Sequence, residues 1–259
     1  MSRQITIVGR GMNPLRDLTL EGLSALQTAD HIIGIEPNLK AWSTIQNTFG
    51  ISDIHDVSEL YIHGSRDIEN YERFIDLILE LSRQHQKLVI LVAGHPRLGV
   101  SFIDLLQTRL SSDIKLKTVA GISSFCALLN ELPLDPLERG SSIIDVNRML
   151  LFQYQLEPAL DTFLYHVCSI GTSYTFYQDA TEANQFELLR NYLLKFYSKD
   201  KKLFWVKASH ATDDGTERVG FYLEELCKSV SHVDFGTSLF IPAELPNKID
   251  KTYLNLLRK

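Results

Sequence analysis

Apolar positions along the chain fall into short runs and helical stripes that alternate. Ile5-Thr6-Ile7-Val8 is a short, mostly apolar run ending in Gly9-Arg10-Gly11, the pattern of a buried strand followed by a tight turn. Thr19 stands where it can cap a helix carrying Leu20, Leu23 and Leu26, and Glu21 in its first turn suits the helix dipole. His31 to Ile35 predicts a second strand. Asp67 to Gln84 predicts a long helix, because Ile68, Tyr71, Phe74, Ile75, Ile78 and Leu79 recur at spacings of three and four. Lys87 to Ala93 is the most strand-like segment, apolar without alternation from Leu88 onward, as in a parallel strand covered on both faces. It ends in Gly94-His95-Pro96. A third unit follows: a helix from about Val100, a strand from Ile114 to Val119, the turn Ala120-Gly121, and a helix from Ser123.

Asn130 to Gly140, with Pro133, Pro136 and Gly140, marks a boundary. Beyond it Phe163 to Ile170, Lys202 to Lys207 and Val233 to Ile241 read as strands. Glu182 to Phe196 and Val219 to Lys228 read as helices, and a terminal helix follows Pro246. The expected fold is α/β, in two α/β domains over residues 1–137 and 138–259.

Composition narrows the partners. The chain has 259 residues, 44% of them hydrophobic, and a net charge of −6, enough for real cores and against disorder. Its basic residues are scattered, so nucleic acid is not an expected partner. Leu88 to Ala93 is far shorter than the about 20 apolar residues that span a bilayer. No membrane partner is expected. The N-terminus carries no basic stretch or cleavage site, and Cys126, Cys168 and Cys227 have neither disulfide nor metal spacing. The reading is a cytoplasmic protein without a metal, its cysteines small core residues.

Gly9-Arg10-Gly11, with Glu36 after the second strand, could open a dinucleotide site, but Pro14 stands where a third glycine would close the helix on the strand. Gly94-His95-Pro96 is more informative, since ligands of open α/β sheets bind beyond the carboxyl ends of strands. His95 is there either a structural histidine or a ligand contact. Ala120-Gly121-Ile122-Ser123-Ser124 places two hydroxyls at a helix start, where Ser123 can serve as cap.

The order of these turns resembles the tetrapyrrole-methylase superfamily of methyltransferases. The phrase Thr19-Leu20-Glu21-Gly22-Leu23-Ser24-Ala25-Leu26 matches its opening, Gly94-His95-Pro96 its G-D-P turn, and Ala120-Gly121-Ile122-Ser123 its P-G-[IV]-S turn. The histidine in the first turn, Leu132-Pro133-Leu134-Asp135-Pro136 and Thr237-Ser238-Leu239-Phe240-Ile241-Pro242 are similar to the borosin-type peptide backbone α-N-methyltransferases. The resemblance implies S-adenosylmethionine in a cleft between two domains, and a homodimer. Cofactor contacts would come from His95, Pro96, Leu98, Ser101, Ser123, Ser124, His166, Ala208, Thr237 and Ser238. The catalytic group would be Tyr61, Arg66 and Tyr71. Two positions depart from the branch: His166 replaces a glutamine, and Ala93 a tyrosine.

An amide nitrogen is a poor nucleophile because its lone pair is delocalised. Methylating it calls for a base and for stabilisation of the carbonyl oxygen as charge develops there. A tyrosine lowered by a nearby cation and an arginine would serve these ends. Arg66 and Tyr71, were both helical, would stand roughly 140° apart around the axis, so shared duty requires Arg66 just outside the helix. The expected acceptor is a separate peptide or small protein, because the sequence ends at Lys259 directly after its last predicted helix. The alternatives are a small-molecule or tetrapyrrole methylase, and a cofactor-binding interaction protein without catalysis.

Overall fold

The computed structural model describes residues 3–34, 39–176, 179, 181–208, 217–245 and 249–258. These form two five-stranded sheets. The first half runs β1 (Arg3–Gly9), α1 (Pro14–Asp17), α2 (Leu20–Gln27), β2 (His31–Gly34), α3 (Leu39–Phe49), β3 (Ile54–Asp56), α4 (Asp67–Gln84), β4 (Lys87–Val92), α5 (Phe102–Arg109), β5 (Ile114–Val119) and α6 (Ser124–Glu131). Its strands lie in the order β3-β2-β4-β1-β5, all parallel. The unalternating apolar runs explain this. In β4, Leu88, Ile90 and Val92 pack with α4 and α5, while Val89 and Leu91 pack with α2 and α3 on the other face. Residues 35 and 36, and with them Glu36, lie outside the described residues.

The second half runs β6 (Ser141–Asp145), α7 (Val146–Phe152), β7 (Asp161–Tyr165), α8 (Phe186–Leu193), β8 (Lys202–Lys207), β9 (Glu217–Tyr222), β10 (Thr237–Ile241) and α9 (Lys251–Leu257). Its order is β6-β7-β10-β8-β9. Only β6 and β7 are parallel; β10 runs antiparallel to β7 and β8, and β9 antiparallel to β8. Trp205 anchors this core, stacked on Phe221 at 5.0 Å and edge-on to Phe186 at 6.1 Å.

The structure corrects several expectations. Val219 begins no helix: it pairs with Trp205 as part of β9, and a 3-10 turn over Leu223–Lys228 follows. The apolar spacing there is that of a helix, but pairing with the neighbouring strand overrides it. The strand expected from Phe163 to Ile170 ends at Tyr165, and Val167–Ser169 form a 3-10 turn. The strand expected from Val233 starts at Thr237, because the Asp234 carboxylate accepts from the Gly236 N–H and the Thr237 hydroxyl, both at 2.9 Å, and holds a turn. Cys126 is exposed, since it lies on the face of α6 away from the buried Leu128. Pro246 lies outside the described residues.

The two sheets meet through one apolar cluster. Met12, from the turn after β1, joins Leu128 and Leu132 of α6 and its end with Phe163, Val206, Ala208 and Phe240 of the second sheet. Phe125 stands edge-on to Phe163 at 5.2 Å. Among the described residues no helix is long and apolar enough to cross a membrane.

Candidate active site

At the carboxyl ends of β1, β4 and β5 the chain turns on glycines that lie against one another. A Cβ at Gly9 would fall 2.4 Å from the Gly94 carbonyl oxygen and one at Gly121 2.4 Å from the Gly9 carbonyl oxygen, so the three turns close only because Gly9 and Gly121 carry no side chain. The same turn argues against a dinucleotide. Asn13 caps α1, Pro14 opens it, and the Asp17 carboxylate accepts the N–H groups of Met12 at 3.1 Å and Asn13 at 2.7 Å. The amides a pyrophosphate would use are occupied by a fixed negative charge.

Beyond β4, His95 accepts the Arg97 N–H on Nδ1 at 3.0 Å, and Leu98 donates its N–H to the His95 carbonyl at 3.0 Å. Pro96 is buried against Gly9, and Ser101 is exposed at the start of α5. Beyond β5, Ser123 is buried and its hydroxyl accepts the Cys126 N–H at 3.1 Å, a helix cap. Ser124 reaches the Tyr165 hydroxyl at 3.3 Å, linking α6 to the end of β7. From the second sheet, Ala208, Thr237 and Ser238 are buried. Ala208 sits in the cluster between the sheets, Ser238 pairs with Val206 in the sheet, and Thr237 is tied to Asp234, which also pairs with Lys207.

The expected catalytic trio divides. Arg66 is the N-cap residue of α4, just outside the helix, as shared duty with Tyr71 requires. Its side chain is exposed, and it forms no ion pair among the described residues. Tyr61 is stacked on Phe74 at 5.7 Å and edge-on to Phe235 of the second half at 6.4 Å. Tyr71 shares hydrogen bonds with Ser101 and Tyr61. The expectation of a phenol lowered by a cation is not met. Burial pushes both phenols above the usual tyrosine range; Tyr71 also feels the charge of Asp67, and Tyr61 the neighbouring Tyr71 and then Asp67. Neutral phenols donate hydrogen bonds; they do not accept protons near neutrality.

Thr175, Asp67, Asp145 and Tyr165 join the site without having been marked in the sequence. Thr175 binds the Asp67 carboxylate and lies 3.5 Å from the Tyr61 hydroxyl. Its backbone pairs with the segment before α4: Gly64 donates to the Thr175 carbonyl at 2.7 Å, and Thr175 to the Ser65 carbonyl at 2.9 Å. That clasp fastens the two halves beside Tyr61. His166 Nδ1 lies 2.6 Å from Asp145 Oδ2, and a Cβ on Gly99 would sit 3.1 Å from His166 Nε2. Asp145 is the N-cap residue of α7, accepting the Arg148 N–H at 2.8 Å. Burial pushes its carboxyl up, but the hydrogen bonds from His166 and Arg148 outweigh that and hold it below the usual range. Tyr165 and Asp145 each end a strand, the one signal that could have marked them. Burial lifts the buried Cys168 thiol to about 12, which makes it an inert packing residue.

The donor set fits a neutral adenosyl group carrying a sulfonium. Serine and tyrosine hydroxyls predominate, and the carboxylates of Asp67 and Asp145 complement a cation. Gly94 offers an open edge, where a Cβ would meet only Met12 Sδ at 3.6 Å and the Ser124 nitrogen at 3.9 Å.

Residues 4–220 match the profile of the tetrapyrrole (corrin/porphyrin) methylases. A methyltransferase/ribosomally synthesized type I borosin cyclic peptide precursor of Mycena rosella is 23% identical over 250 residues, 95% of this chain and 62% of that protein. A type II borosin precursor of Phlebiopsis gigantea is 26% identical over 172 residues, 65% of this chain and 30% of that protein. The chain thus spans less than two thirds of the length of these curated relatives. The solved methyltransferase CobJ shares the fold, with a TM-score of 0.63 at 12% identity over 96% of this chain and 98% of its own. The profile match extends over most of the chain, and the chain belongs to the tetrapyrrole methylase family.

Proposed function

We propose that the chain transfers a methyl group from S-adenosylmethionine to backbone amide nitrogens of a separate peptide or small protein, as a cytoplasmic homodimer whose two functional halves are residues 1–137 and 138–259. The observation that carries this reading is the meeting of Tyr61 and Tyr71 with Asp67, Thr175 and His166 where the two halves join. The borosin precursors among its relatives pair a methyltransferase with a peptide, which supports a peptide acceptor. S-adenosylmethionine, when bound, supplies an electrophilic methyl carbon on a cationic sulfur. His95, Pro96, Leu98 and Ser101 would hold it from the turn after β4, Ser123 and Ser124 from the start of α6, and His166, Ala208, Thr237 and Ser238 from the second half.

The chain's own residues then act on the acceptor. Tyr61 and Tyr71, kept neutral by burial, donate hydrogen bonds toward the amide oxygen as negative charge grows there. Arg66, exposed at the edge of the site, adds its positive charge. Held between Arg66 and Tyr71, the amide is oriented for in-line attack, and much of the barrier falls through positioning. Ala93, in place of a tyrosine, favours a small-molecule or tetrapyrrole acceptor as the second reading. Incubation with S-adenosylmethionine and candidate peptides, followed by tandem mass spectrometry, separates them. Added methyl groups on backbone nitrogens are expected. Methylation of a small molecule with every peptide unchanged would replace the peptide reading with the second.

A further inference from the structure

We infer that His166, held by Asp145, is the base that takes the proton from the acceptor nitrogen during methyl transfer. This rests on the transfer to nitrogen proposed above. His166 follows β7 with φ 59° and ψ 32°, the left-handed region that residues other than glycine rarely adopt. The conformation turns the imidazole so that its two nitrogens have different tasks. Nδ1 lies 2.6 Å from Asp145 Oδ2. The Asp145 carboxyl is ionised by its hydrogen bonds and has no proton to give, so Nδ1 carries the hydrogen, and in the neutral ring Nε2 is the nitrogen with a bare lone pair. Nε2 faces the loop between Leu98 and Ser101, where it lies 3.1 Å from the position of a Cβ on Gly99. Tyr71 joins the same loop through Ser101.

The imidazole is 40% exposed, open to an incoming substrate. Neither phenol can replace it, because burial raises both. The charged groups that face His166 are Asp145, from the junction of β6 and α7, and Asp67, from the first turn of α4. Both stabilise a positive imidazole. In the step itself the acceptor nitrogen forms a bond to the methyl carbon as the carbon–sulfur bond breaks. The electron pair of that bond stays on sulfur, leaving a neutral thioether. The N–H proton passes to Nε2, and the imidazolium rests between two carboxylates. Asp145 is a positioning residue, acting through His166.

The test compares wild type, His166→Gln and Asp145→Asn by three measurements. These are the pH profile of kcat/KM, calorimetric affinity for S-adenosylhomocysteine, and nitrogen-15 spectra of the imidazole. His166→Gln is expected to lower kcat by about 10²–10⁴-fold, a larger factor than any loss of S-adenosylhomocysteine affinity, and to abolish the acid limb of the profile. Asp145→Asn should lower kcat less than His166→Gln does, since it removes the carboxylate that holds the ring and leaves the ring itself. In the wild-type spectra the neutral imidazole should carry its hydrogen on Nδ1 and none on Nε2. A His166→Gln enzyme with an unchanged rate and profile would overturn the base while leaving the peptide reading intact. Wild type that methylates no peptide would overturn the peptide reading instead. The spectra still decide in that case, and hydrogen on Nε2 in place of Nδ1 would sink the dyad.

Discussion

The two sheets reach the site by different means. In the first, every strand is parallel, the central strands β1 and β4 are buried on both faces, and the site forms where backbone turns after β1, β4 and β5 close on one another. In the second, three of the four strand pairings are antiparallel, and side-chain hydrogen bonds do the positioning: Asp145 to His166, Asp234 to Thr237, Thr175 to Asp67. A site half thus built from contacts without side chains should be intolerant of added atoms. One built from polar contacts should be intolerant of lost charge and otherwise forgiving.

The largest effects test the two cores. Trp205→Ala in the second half should cost about 3–5 kcal/mol in urea unfolding, because a fully buried aromatic leaves a cavity. Gly9→Ala in the first half should cost roughly 2–3 kcal/mol, since its methyl would lie 2.4 Å from a backbone oxygen that cannot swing away. Gly50→Ala is the control: a Cβ there meets nothing within 4 Å, and the positive φ alone should cost about 1–2 kcal/mol. A Gly9→Ala protein no less stable than Gly50→Ala would dissolve the contrast between the halves.

Helix caps sharpen the comparison at smaller scale. Ser123 and Asp145 both accept an N–H at the start of a helix, one in each half. Ser123→Ala should lower stability by about 1 kcal/mol. Asp145→Asn keeps a capping oxygen and loses only the charged contact, so its melting temperature should fall less than that of Ser123→Ala while activity falls. Equal losses of stability in both variants would mean that Asp145 is chiefly a cap.

The same division governs what the sequence discloses. The α4 bounds, the β4 run and the β5 strand are legible because burial on one face or two imposes a period on the residues themselves. So are the Thr19 and Ser123 caps, where hydroxyl and helix start are adjacent in the chain. The second half hides more. Its β6 has half-buried and exposed positions with no clear alternation, and β9 wears the spacing of a helix. The first half also conceals α3, whose core contacts rest on few residues such as Trp42 and Ile45, and the three-residue β3. The turns after β4 and β5 announce themselves as site material. Asp145 and Thr175 do not, because their meaning lies in partners 21 and 108 residues away. Burial of the phenols was invisible for the same reason.

The smallest effect separates the halves by pH. At the end of the first sheet away from the site, His31 stacks on His85 at 4.7 Å and stands edge-on to His55 at 5.8 Å. Its Nε2 is buried without a hydrogen-bond partner among the described residues. Burial, and then the neighbouring His85 and His55, lower its pKa from the ordinary 6.5, against a weaker opposite pull from Asp53. The unfolded chain therefore takes up a proton at His31 before the folded one does, and stability falls as pH drops through 6.5. In the second half Asp145 and Asp234 have the opposite sense. Burial acts on both, but hydrogen bonds from His166 and Lys207 outweigh it and hold them below the ordinary 3.8. Their contribution is complete above that value and is lost only as pH falls through their lower folded values. Between pH 6.5 and about 4 the sheet that weakens is the first. His31→Phe should flatten the decline of melting temperature across that window, and hydrogen exchange should show early loss of protection in β2 and β3 but not in β7 and β10. A decline of the same slope in His31→Phe would remove the histidines from the account and leave the two halves alike in acid.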